Sequence, residues 1–89
     1  MNAHPRSIIM KMITLLDDYK EGRCNLRTLV DGLEGGLNAM EEKMPETFQK
    51  YWYVHWGGLE QILAMGTEKA RQKEILEDIE ALRVLLSKF

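Results

Sequence analysis

The stretch Phe48 to Met65, FQKYWYVHWGGLEQILAM, holds both tryptophans of the chain and most of its other aromatic residues. Laid on a helix at about 100° per residue, Phe48, Trp52, His55, Leu59, Ile62 and Leu63 fall on one side, flanked by Tyr51 and Trp56. Tyr53, Gly57, Glu60, Gln61 and Ala64 fall on the other. One side of this segment therefore has to be covered by other elements, and the opposite side is left to be presented. The rest of the chain reads as its packing partners.

The first segment runs from about residue 5 to 21. Pro5 suits a first helical turn, where its missing N–H would have had no partner, and Gly22 suits a left-handed stop. Ile8, Met12, Leu15 and Tyr19 form its stripe, with Ile9 and Leu16 beside it. Met10 and Ile13 lie outside that stripe, so this helix either packs against two neighbours at once or forms a homodimer seam. Asn25 is placed to cap a second helix, about 25–43, because its side-chain oxygen can accept from an N–H two or three residues on. Cys24 and Leu29 fit a hydrophobic staple around that cap, which gives the cysteine a packing role. Leu26, Leu29, Val30, Leu33, Leu37 and Met40 recur at three and four, the cleanest amphipathic pattern in the chain.

The second helix also carries Gly32, Gly35 and Gly36, each costing roughly 1 kcal/mol relative to alanine in a helix interior. Gly32 and Gly36 stack one turn apart and offer a strip for close approach of another backbone, with Gly58 as a facing position. The alternative is that Gly35 and Gly36 kink the helix. Lys43 and Met44 close it before Pro45, which disfavours helix in the residue preceding it. Pro45 and Glu46 open the third helix, about 45–65, and Gly66 ends it. Thr67 is placed to cap a fourth helix, about 68–88, with Glu68 in its first turn and Lys88 in its last. Ile75, Ile79, Leu82, Leu86 and Phe89 form the stripe there, and Lys73 with Glu77 and Glu80 with Arg83 are spaced as ion pairs.

Four amphipathic helices on short links predict an all-α domain over residues 1–89, an antiparallel up-and-down four-helix bundle. At 89 residues, 45% hydrophobic and 29% charged, the chain is one small globular domain. A net charge of −2 argues against a nucleic-acid-binding domain, which needs a basic face to displace phosphate counterions. One cysteine allows no internal disulfide and fits a reducing cytoplasm. No signal peptide is expected, because Lys11 interrupts the apolar start and no small-residue cleavage site follows. No apolar run is long enough to predict a membrane span.

Motifs for chemistry are missing. The residue three before His55 is Trp52, so the Glu-x-x-His of a di-iron bundle fails. One cysteine and two distant histidines do not make a zinc site. Ser7, Ser87 and Cys24 have no surrounding motif for nucleophilic catalysis. Gly32-x-x-Gly35-Gly36 lacks the strand and the Gly-Lys-Ser/Thr ending of a phosphate loop. His55 reads as a core or boundary residue hydrogen-bonded to a neighbour. The chain reads as non-enzymatic, without metal or cofactor.

What stands out is the outer side of the second helix, where Asp31, Glu34, Asn38, Glu41 and Glu42 cluster away from the leucines with Arg27 the only basic residue among them. Carboxylates in that number repel one another unless something cationic sits opposite. With the aromatic helix as neighbour, Tyr53, Trp56 and Glu60 border the strip, a composition suited to a protein interface. The expected partner is a basic protein.

Leu16-x-x-Tyr19-x-x-Gly22 ending the first helix, and Phe48-x-x-x-Trp52 leading to Leu59-Glu60 in the third, complete the pattern. In size, acidic balance and these spacings the chain resembles the small helical immunity proteins of bacterial toxin systems, in particular the colicin D immunity type. The resemblance implies a four-helix protein that binds the catalytic domain of a cognate ribonuclease toxin and blocks its active site with acidic residues. The glycine pairs 35/36 and 57/58 and the modest net charge depart from that pattern. The other reading is a self-associating structural or regulatory domain, a homodimer whose seam uses Met10, Ile13, Val84 and Leu76.

Overall fold

Two glycine stops and one side-chain cap set where the helices begin and end. The computed structural model describes residues 5–40 and 45–88, in four helices: α1 (Pro5–Lys20), α2 (Leu26–Met40), α3 (Glu46–Met65) and α4 (Gln72–Ser87). Gly22 and Gly66 both take positive φ, 77° and 66°. In each case the next N–H reaches back to the helix: Arg23 donates to the Asp18 carbonyl at 2.7 Å and Thr67 to the Ile62 carbonyl at 3.2 Å. Both are Schellman ends, which a side chain bearing Cβ would strain. Asn25 Oδ1 accepts from the Thr28 N–H at 2.8 Å, so the start of α2 is capped as its sequence predicts.

The four helices form an antiparallel up-and-down bundle around a single interior. Its buried residues are Ile9, Met12 and Leu16 from α1, the six apolar positions of the α2 stripe, Trp52, Leu59 and Ile62 from α3, and Ile75, Ile79, Leu82 and Leu86 from α4. Among the described residues none that is polar or charged is buried. Each such side chain is worth roughly 1.5–3 kcal/mol when fully removed from water, which is what offsets the chain entropy of so short a domain. Trp52 is the largest of them and is fully buried, yet its indole N–H has no hydrogen-bond partner. Phe48 stacks on it at a centroid distance of 6.1 Å.

The glycines of α2 do not break it, since the helix runs unbroken through 32, 35 and 36. They let α1 in. A Cβ on Gly32 would run into Leu15, and one on Gly36 would lie 2.5 Å from Met12 Sδ. That the earlier α1 residue meets the later α2 residue also records the antiparallel sense. Gly58, expected to face Gly32 and Gly36, instead faces α4, where a Cβ would lie 2.6 Å from Asp78 Oδ2.

The fourth helix begins four residues later than its sequence predicts. Thr67 does not cap it: the Thr67 carbonyl accepts from the Ala70 and Arg71 N–H groups in a separate turn, and Arg71 occupies the cap position without a side-chain bond. Glu68 therefore lies outside the helix, where Tyr19 Oη donates to its Oε2 at 2.7 Å and Gln72 Nε2 donates to its carbonyl at 3.0 Å. Gln72 Nε2 also donates to Tyr19 Oη at 3.3 Å. The expected pairs within α4 are replaced too, because Arg83 bonds Asp17 of α1 rather than Glu80, and no ion pair joins Lys73 to Glu77. Lys88 follows α4 as its C-terminal cap residue. Lys43, Met44 and Phe89 lie outside the described residues.

Two stability measurements follow from this packing. Trp52→Ala should lose about 3–5 kcal/mol as a large-to-small core change, while Trp52→Phe, which keeps a ring and drops the unpartnered N–H, should lose far less; equal melting curves for wild type and Trp52→Ala would place the indole outside the core. Gly35 has nothing within 4 Å of its Cβ position, so Gly35→Ala should raise stability by about 0.5–1 kcal/mol, whereas Gly36→Val should lower it by about 1–3 kcal/mol through overpacking on Met12.

Candidate protein-binding surface

The strip read from α2 begins with which side of that helix is free. Leu29 and the Gly32/Gly36 strip turn toward α1, and Val30 turns toward α3, so Asp31, Glu34 and Asn38 remain on the outside, all exposed. Glu41 and Glu42, the other two acids assigned to the strip, lie outside the described residues. On α3, Tyr53 and Glu60 are exposed and Trp56 is half-buried.

Trp56 ties the two helices together. Its Nε1–H donates to the Val30 carbonyl at 3.0 Å. A helical carbonyl carries two lone pairs, so it can accept this bond beside its own intrahelical one. Tyr53 packs against Trp56 edge to face, with ring centroids 6.3 Å apart and planes at 82°, a favourable arrangement of the two ring quadrupoles. The aromatic pair is thereby held at the margin of α2, on the side where the helical wheel also places Glu34.

The ion pairs of the bundle are made by other acids. Among the described residues the ion pairs join Arg23 to Asp18, Arg71 to Glu74, Arg83 to Asp17 and His55 to Asp78. Asp31, Glu34 and Glu60 take part in none of them, and Arg27, exposed on the same helix, pairs with none of the three. The structure thus brings together six of the eight residues assigned to the surface, Asp31, Glu34, Asn38, Tyr53, Trp56 and Glu60, on two adjacent helices.

Residues that suggested chemistry have structural work. His55 Nδ1 lies 3.0 Å from Asp78 Oδ1, a contact that crosses from α3 to α4. Cys24 is half-buried against the core, its Sγ 3.9 Å from the Leu15 carbonyl oxygen. Burial, reinforced by Asp18, pushes its thiol up from the ordinary range, opposite to the shift a reactive cysteine needs. Burial likewise raises the Tyr19 hydroxyl, with the Gln72 bond opposing it and Glu68 adding to it. Among the described residues no group of three histidine, cysteine or acidic side chains is placed to hold a metal ion, and no helix is long and apolar enough to cross a membrane.

No family model, no curated protein and no solved structure matches this chain. The function has to be argued from the surface itself.

The tie between α2 and α3 is open to a direct test. Trp56→Phe keeps the ring but removes the donor to Val30, and should lose about 0.5–1.5 kcal/mol, the usual net contribution of one hydrogen bond. The Tyr53 ring resonances, shifted by the facing indole, should move in the same variant. Unchanged stability together with unchanged Tyr53 resonances would show that the tie does not hold the aromatic pair.

Proposed function

We propose that this chain is a non-enzymatic protein-binding domain whose acidic and aromatic surface on α2 and α3 takes a basic partner, in its most concrete form the catalytic domain of a nuclease toxin that it neutralises. One observation carries the reading: Asp31, Glu34 and Glu60 are exposed and, among the described residues, take part in no ion pair, beside an aromatic pair whose Trp56 bonds the Val30 carbonyl. Carboxylates that outnumber the one basic residue beside them, Arg27, make the local potential negative and attract a cationic surface over several ångströms. Such charges act mainly on the rate of encounter and on the choice of partner. Tyr53 and Trp56 supply the apolar anchor that charges alone lack, and because they are immobilised beforehand less entropy is lost on binding. A nuclease cleft built to hold phosphates presents the cations such a surface needs. Inhibition then requires only that carboxylates occupy the phosphate positions, with no chemistry from this chain.

Self-association is the second reading, and exposed apolar residues favour it: Met10, Leu76 and Val84 stand well out of the interior. Of the other residues read into that seam, Ile13 packs partly buried against the core and Val84 lines the groove between α3 and α4.

The test is kinetic. The double variant Glu34→Lys/Glu60→Lys should fold as the wild type does, and its association with the catalytic domain of a basic ribonuclease toxin that the wild type inhibits should slow by at least about tenfold at low ionic strength. Added salt should narrow that difference by screening the wild-type attraction. Association and inhibition that are the same for both proteins at low ionic strength would exclude this surface as the site. Sedimentation settles the second reading: a wild-type dimer that Met10→Glu or Leu76→Glu disperses supports self-association, and a monomer removes it.

A further inference from the structure

A second surface lies between α3 and α4, apart from the strip on α2. Tyr51, Ala81, Val84 and Leu85 line an open groove of about 450 Å³, with His55 at its base and Glu77 and Glu80 on the α4 side. Tyr51 is 57% exposed and Val84 46%, so neither belongs to the interior. Val54, one turn from Tyr51 on the same margin of α3, is 64% exposed and lengthens the apolar edge.

The walls of the groove are fixed in advance. Gly58 has no Cβ where one would lie 2.6 Å from Asp78 Oδ2, and this lets Asp78 come in beside α3 and hold His55 Nδ1 at 3.0 Å. Leu59 of α3 and Ile79 and Leu82 of α4 are fully buried in the shared core of the bundle. An occupant therefore meets a preformed site and gives up little free energy to ordering it.

The charged side chains that line the groove, apart from His55, are both acidic, Glu77 and Glu80. Arg83, the basic residue nearest Glu80 in sequence on its helix, is committed to Asp17 of α1, and Lys73 forms no ion pair with Glu77. Glu77 and Glu80 therefore stand exposed and unpaired among the described residues. We infer that this groove docks an amphipathic helix of a partner protein, one that sets apolar side chains between α3 and α4 and lysine or arginine against Glu77 and Glu80.

The dimensions favour a helix. From Glu77 to Leu85 the groove follows α4 for about 12 Å, two turns of an occupant running alongside, so anchors at i, i+3 or i+4, and i+7 span it. A third helix laid between two packed ones also matches their ridges. Anionic lipid is repelled by the carboxylates of Glu77 and Glu80.

The inference is independent of the surface on α2, and the experiment separates the two. A displayed library of amphipathic helical peptides, with varied apolar anchors and with basic, neutral or acidic flanks, is selected on the wild-type protein, and the most enriched peptide is titrated against variants. Basic flanks should be enriched. Val84→Glu, an exposed change that leaves the fold intact, should weaken that peptide by at least about tenfold, and Glu77→Lys/Glu80→Lys should weaken it similarly and turn the preference toward acidic flanks. Glu34→Lys/Glu60→Lys should bind it within about twofold of wild type. No enrichment, winners with acidic flanks, full affinity in the Val84→Glu protein, or loss of affinity only in the Glu34→Lys/Glu60→Lys protein would each overturn the assignment. A wild-type dimer that Val84→Glu disperses would assign the groove to a second copy instead.

Discussion

Burial of the Trp52 indole fixes how α3 is turned about its own axis. Side chains on a helix are separated by about 100°, so once Trp52, Leu59 and Ile62 are committed to the interior every other position on α3 is committed as well. Trp56 must then meet α2, where its N–H finds the Val30 carbonyl, and Tyr51 and His55 must meet α4. One rotation therefore creates both outer faces of the helix: an aromatic pair beside the acids of α2 on one flank, and an apolar groove beside the acids of α4 on the other. The interior that enforces it is wholly apolar among the described residues, which leaves the charged groups to act only at seams and on the surface.

How the acidic residues are divided between those two places is informative. Asp17 and Asp78 close seams, the first by bonding Arg83 across α1 and α4, the second by meeting His55 across α3 and α4. Glu68 does similar work at one end of the bundle, receiving the Tyr19 hydroxyl. Partly exposed pairs of this kind contribute little to stability individually, but they fix which helix faces are closed. Among the described residues Asp31, Glu34 and Glu60 on one surface, and Glu77 and Glu80 on another, take part in no ion pair. The helix pair α1 and α2 achieves its closeness differently, by leaving out Cβ at Gly32 and Gly36 so that Leu15 and Met12 can enter.

The parts of this structure that a sequence discloses are the ones governed by neighbours along the chain. The α2 stripe, the Asn25 cap and the glycine stops at 22 and 66 are local, and they are found where periodicity and turn chemistry place them, whereas in α1 it is Ile9 and Leu16, beside the stripe read there, that join Met12 in the core while Ile8, Leu15 and Tyr19 are partly exposed. Contacts between helices are not local, and a helical wheel describes one helix at a time. It shows that Gly32 and Gly36 form a strip but not whether α1 or α3 fills it; the answer is α1, and Gly58 serves Asp78 instead. The late start of α4 has the same cause. Thr67 and Glu68 satisfy local rules for a helix start, yet Glu68 is drawn to Tyr19, far away in the chain, and the backbone from Thr67 to Arg71 closes its own turn. The outer strip was legible as a composition, whereas the Trp56 tie became visible only with the helices in place.

The orientation of α3 is the claim on which both surfaces rest, and quenching of Trp52 fluorescence tests it most directly. In a Trp56→Phe protein Trp52 is the sole indole, and acrylamide reports its exposure. A fully enclosed ring should emit at short wavelength and resist quenching until the protein is unfolded. Quenching as efficient as that of free tryptophan in the folded protein would mean that α3 is turned the other way, and neither surface would exist as described.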